Sequence, residues 1–101
     1  MGETIYKICP RAAWETACAN GVYRGSADDL RDGFIHFSRV DQVQGTLAKH
    51  FAGQRDLVLV SVDAATLGEA LRFEPSRGGA LFPYVYGALD TSLALEIVPL
   101  P

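Results

Sequence analysis

The chain has 101 residues, 49% of them hydrophobic and 21% charged, enough for one compact domain with a real core and too few for two. A net charge of -3 and a pI near 5.2 supply no basic field for gathering phosphates, which excludes general nucleic-acid binding. No apolar run approaches the roughly 20 residues of a membrane span, and no basic-then-apolar leader precedes the first strand pattern, so the expectation is a cytoplasmic protein without a membrane partner.

Thr4 to Cys9 alternates as a strand, with Tyr6 and Ile8 on one face and Ile5, Lys7 and Cys9 on the other. Pro10 suits a helix start, Trp14, Ala17 and Cys18 recur at helical spacing and Gly21 is a natural stop, which predicts a first helix over Pro10 to Asn20. Cys9 and Cys18 have no C-x-x-C spacing or companion ligands, so both are expected reduced, as small buried hydrophobes. Val22 to Gly25 reads as a short extended piece, and Ser26-x-x-Asp29 caps a single turn.

Gly33 to Ser38 is the stretch around which the chain is organised. As a strand it places Ile35 and Phe37 in the core and Phe34, His36 and Ser38 on the opposite face. His36 reads either as a proton-transferring or ligand-binding imidazole or as a structural histidine bonded to backbone. Ser38 opens a capping pattern before a second helix, marked by Val43, Leu47 and Phe51 and ending near Gly53; it reads as a cap that also contacts a ligand, or as a nucleophile. His50 in the last turn complements the helix dipole.

Asp56 to Asp63 is apolar on both faces, as in a strand buried mid-sheet. After a turn, Leu71 to Glu74 alternates, with Leu71 and Phe73 inward and Arg72 and Glu74 opposite. Pro75 to Gly79 is a glycine-rich turn, Leu81 to Tyr86 an aromatic strand and Leu93 to Val98 a final strand. Glu74 reads either as a carboxylate stabilising positive charge on a reacting sugar or as a solvated strand end, and Arg77 either as a phosphate clamp or as loop charge. Tyr84 and Tyr86 offer one stacking surface and one core residue. Arg24 and Arg72 are further loop-proximal cations for a small anion. No His, Cys and carboxylate set has metal-ligand spacing, so no metal is expected. The pattern is α+β in a single domain over residues 1–101, with two helices early and then mainly strands, packed as one layer on another or as a split, curled sheet.

The runs Ile5-Tyr6-Lys7-Ile8, Gly33 to Ser38, Asp56 to Leu59, Arg72-Phe73-Glu74 and Phe82 to Gly87, together with Trp14 and Gln42-Val43, resemble the family known as domain of unknown function 952. The resemblance covers nearly the whole chain and implies a fold similar to the ADP-ribosyltransferase superfamily, whose members bind NAD in a cleft between two small antiparallel sheets. It gives His36 a role in holding the dinucleotide and places Lys7 where the 2′-phosphotransferase branch has a histidine or arginine. Glu74 and Tyr86 both compete for a third catalytic position. The implied ligand is NAD or a related nucleotide, with His36, Glu74 and Tyr86 catalytic and Lys7, Arg24, His36, Ser38 and Arg77 binding. The implied activity is transfer or hydrolysis of the ADP-ribosyl group. The alternative is a non-catalytic nucleotide-binding or protein-interaction module, which Lys7 favours because it lacks an acceptor nitrogen.

Overall fold

The structure, a computed structural model, describes residues 2–76 and 78–101. In chain order its elements are β1 (Thr4–Pro10), α1 (Arg11–Asn20), β2 (Val22–Tyr23), α2 (Ala27–Asp32), β3 (Ile35–His36), β4 (Ser38–Arg39), α3 (Val43–His50), β5 (Leu57–Asp63), β6 (Leu71–Pro75), β7 (Leu81–Val85), β8 (Leu89–Asp90) and β9 (Ala94–Pro99). The strands form a four-stranded sheet ordered β4-β1-β5-β9, a three-stranded sheet ordered β3-β7-β6 and a small β2-β8 ribbon, all antiparallel. The architecture is therefore α+β, with a third helix and a third small sheet beyond those expected. The third helix is α2, whose Ser26 and Asp29 form a full capping box and extend the expected single turn to six residues.

The alternation in β1 sorts the two faces of the larger sheet as the sequence implies. Ile5 and Cys9 join Val58, Val60 and Val62 in the main core, closed by Trp14 and Ala17 of α1 and by Ile35, Phe37, Val85 and Leu89. On the other face, Tyr6, Ile8, Leu57 and Leu59 pack against Val43, Leu47 and Phe51. β5 lies between β1 and β9 and is buried along most of its length. Cys9 is buried, and burial pushes its thiol up to about 11, which keeps it neutral; Cys18, expected to be buried, is exposed on α1.

The central stretch is not one strand in one sheet. β3 pairs with β7, whereas β4, beginning two residues after His36, pairs with β1. Pro83 accounts for the break. The Phe37 N–H donates to the Pro83 carbonyl at 3.0 Å, but Pro83 has no N–H with which to complete the reciprocal bond. The ladder ends there and the chain passes to the other sheet. Ser38 consequently does not cap α3: a short 3-10 turn over Val40–Gln42 intervenes, with the Gln42 side chain accepting from the Arg39 N–H at 2.9 Å. Phe73 also departs from the expected inward placement. β6 is a sheet edge, and Phe73 is partly exposed beneath the Arg39 guanidinium, 5.1 Å from its ring centre.

Candidate functional site

Lys7 lies on the core-facing side of β1 and is only 5% exposed, so its ammonium must find partners indoors. It donates to Asp29 Oδ2 at 2.8 Å and to the His36 carbonyl at 3.1 Å. Asp29 is 2% exposed and is the hub of the arrangement. Its Oδ2 also accepts from the Ser26 N–H at 2.9 Å, and its Oδ1 accepts from the His36 N–H at 3.1 Å and from ring Nδ1 at 2.6 Å. Burial alone would raise the Asp29 carboxyl, but the hydrogen bond from His36 and the charge of Lys7 outweigh it and hold the group well below the ordinary carboxylate range.

Strand geometry explains why the hub sits there. Because Phe37 and Pro83 occupy a hydrogen-bonded position, the neighbouring His36/Tyr84 pair is a non-hydrogen-bonded one, and the His36 N–H and C=O face away from β7. Asp29 accepts that N–H and Lys7 donates to that C=O, so two side chains stand in for a missing strand. Gly25 lets the loop close over the hub: its φ is +106°, and a Cβ there would lie 2.6 Å from the Cβ of Asp29.

The His36 ring is about one-third exposed, and its second nitrogen, Nε2, lies 3.0 Å from Asp32 Oδ2. Asp32 is also bonded by Arg31, which holds its carboxyl below the usual range against the opposing effect of desolvation, with a further contribution from His36. Rings surround the imidazole. Phe34 lies 4.6 Å away and Tyr84 5.3 Å away edge-on, while Phe34 stacks on Tyr84 at 4.2 Å and meets Tyr86 at 5.3 Å. The Tyr86 hydroxyl donates to Glu74 Oε1 at 2.5 Å, a bond that raises the phenol above its ordinary value, and the Arg72 guanidinium covers the Tyr86 ring at 5.0 Å. Beside this wall a cleft of about 230 Å³ is lined by Arg24, Asp29, Gly33, Phe34 and Gly87 among others.

The fold thus gathers Lys7, His36, Glu74 and Tyr86 into one continuous set of contacts and brings Arg24 to its rim. Ser38 stands apart: it is buried, and its hydroxyl bonds Thr46 of α3 at 3.0 Å. Arg77 lies outside the described residues. Asp29, Asp32 and Phe34 carry much of the site and were not singled out from the sequence. The spacing of Asp32 and His36, four residues apart across a glycine stop, is a signal that points to their meeting; the capping box had already accounted for Asp29. Among the described residues no group of three or more His, Cys, Asp and Glu side chains could hold a metal ion, and no helix is long and apolar enough to cross a membrane.

The family model for the proteins of unknown function DUF952 matches residues 8–97, and the chain belongs to that family. Among solved structures it is similar to protein CC0527 of Caulobacter crescentus, whose crystal structure is 51% identical, with a TM-score of 0.94 over 97% of this chain and 86% of that one. A doubly substituted form of CC0527 gives 50% identity and a TM-score of 0.94 over the same shares, and its solution NMR structure gives 52% and 0.86 over 96% of this chain and 84% of that one. No curated protein matches the sequence.

Proposed function

We propose that this protein binds NAD or a related nucleotide on the wall formed by Phe34, Tyr84, Tyr86 and the His36 ring. One observation carries the reading: a run of rings, with Phe34, Tyr86 and the His36 ring partly exposed over a buried Tyr84, is flanked by a guanidinium, Arg72, and a carboxylate, Glu74, with Arg24 on the adjoining cleft. Rings supply stacking, the guanidiniums suit phosphate oxygens and the carboxylate suits ribose hydroxyls. Binding without turnover is the form of this function that the geometry favours. Both ring nitrogens of His36 lie against carboxylates, and Lys7 is buried in an ion pair, so neither is presented to a substrate as it stands.

A second reading, transfer or hydrolysis of the ADP-ribosyl group, is favoured by the placement of Glu74. Positive charge builds on the ribose as nicotinamide leaves, and a carboxylate at the edge of the stacking wall is suited to stabilise it. A titration of isotope-labelled protein with NAD, followed through backbone amides and by assay for free nicotinamide in the same tubes, separates these. Saturable shifts at Phe34, His36, Tyr84 and Tyr86 without nicotinamide are the expected result. Nicotinamide release abolished by Glu74→Gln would establish the second reading, and an absence of shifts at millimolar NAD would remove the nucleotide.

A further inference from the structure

Asp29 accepts four hydrogen bonds, from Lys7, Ser26 N–H, His36 N–H and His36 Nδ1, and an ionised carboxylate has no hydrogen to give. Nδ1 therefore carries a hydrogen whether the ring is charged or neutral. Protons enter and leave His36 only at Nε2. When the ring is charged, Nε2–H donates to Asp32 Oδ2 across the 3.0 Å seen here. When the ring is neutral, Nε2 is a lone pair facing the lone pairs of a carboxylate, and that contact becomes repulsive. Asp29 is fixed by its four donors. Asp32 is not: it is the last residue of a six-residue helix, at the surface, with Arg31 as its other partner.

We infer that His36 Nε2 is a ligand-facing acceptor oriented by Asp29, that it takes a hydroxyl donor when the ring is neutral, and that Asp32 is the gate this hydroxyl replaces. The remaining groups around the ring are compatible with this. Lys7 meets only its carbonyl, Tyr84 presents an edge, and Glu74, Tyr86 and Arg72 lie farther along the ring wall. The ligand class is a hydroxyl-bearing molecule whose flat part stacks on Phe34 or Tyr86. Naming a nucleotide ribose as that hydroxyl rests on the proposed nucleotide binding; the gate itself does not.

Two measurements test it. Long-range proton–nitrogen correlations of the His36 ring, recorded across its titration, are expected to show Nδ1 protonated throughout, with the Asp32 carboxyl carbon shifting in step with the ring. A neutral ring protonated at Nε2, or an Asp32 signal indifferent to the ring's titration, overturns the inference. NAD affinity is then compared in wild type and Asp32→Ala, a surface substitution that leaves the hub intact. Without Asp32 the charged ring's Nε2–H is free to donate to the oxygen of the same hydroxyl, so the variant is expected to bind several-fold more tightly below the ring's titration and equally above it. A ratio of one at every pH overturns the gate. Failure of both proteins to bind overturns the nucleotide alone, and the ring spectra then decide the gate.

Discussion

Asp29 is the residue on which the most interactions converge, and its removal leaves the Lys7 ammonium buried without a counter-charge. Breaking such a buried pair costs about 3–5 kcal/mol. Asp29→Asn is expected to lose stability on that scale, read by urea denaturation with the single Trp14, itself buried, as the fluorescent probe. The pH dependence has a definite sign. A carboxyl held low in the folded protein contributes stability that is complete above its unfolded value of about 3.9 and is lost as the pH falls toward the folded value. The gap between wild type and Asp29→Asn should therefore be constant near neutrality and narrow in acid below pH about 4. A gap that widens there would mean that Asp29 is not held ionised by its neighbours.

At the scale of elements, α2 and the split strand do most to position the site. α2 has only six residues and depends on its cap, in which Ser26 Oγ accepts from the Asp29 N–H at 3.2 Å while Asp29 accepts from the Ser26 N–H. Ser26→Ala is expected to cost about 1 kcal/mol, with faster amide hydrogen exchange at Asp29 as a local signature; unchanged exchange would show that the cap does not hold this turn. The cap was legible from Ser26-x-x-Asp29, as were β1, α1, β5 and the two faces of the larger sheet, because each follows from local periodicity or capping. The division of Gly33 to Ser38 between two sheets was not legible. It depends on Pro83, distant in sequence, withholding one hydrogen bond from Phe37. The same distance hid the site's hub: Lys7 was visible as a charge among apolar neighbours, but nothing in a one-dimensional pattern says that Asp29 will be its partner. Phe73 was misplaced because alternation cannot tell an edge strand from a covered one.

For the whole molecule, the Lys7–Asp29–His36 contacts are a buried polar cross-link between two sheets that also meet through apolar packing, the Arg39 guanidinium over Phe73 and the passage of the chain from β3 to β4. Lys7 belongs to the larger sheet and His36 to the smaller, with Asp29 between them. A double-mutant cycle measures the link. Lys7→Met alone strands a buried carboxylate, whereas Lys7→Met with Asp29→Asn removes both charges, so the double variant is expected to lose less than the sum of the two single losses, by about 1–3 kcal/mol. Simple additivity in urea denaturation would show that the two groups act independently.

The pairing pattern also bears on how the chain reaches this state. Thr4 pairs with Asp63, Val22 with Asp90, and Ile35 with Val85, so β1, β2 and β3 each wait for a distant segment. The β6-β7 hairpin, closed across the Gly78-Gly79 turn, is the local pairing among the described residues. Closing long loops before contacts reward it makes for slow assembly, in milliseconds to seconds rather than microseconds. A nascent chain therefore cannot set Lys7 against Asp29 within a finished sheet until β5 has been made. Until then the first strand carries an unpaired edge and a lysine among apolar side chains, a charge that discourages that edge from joining another chain.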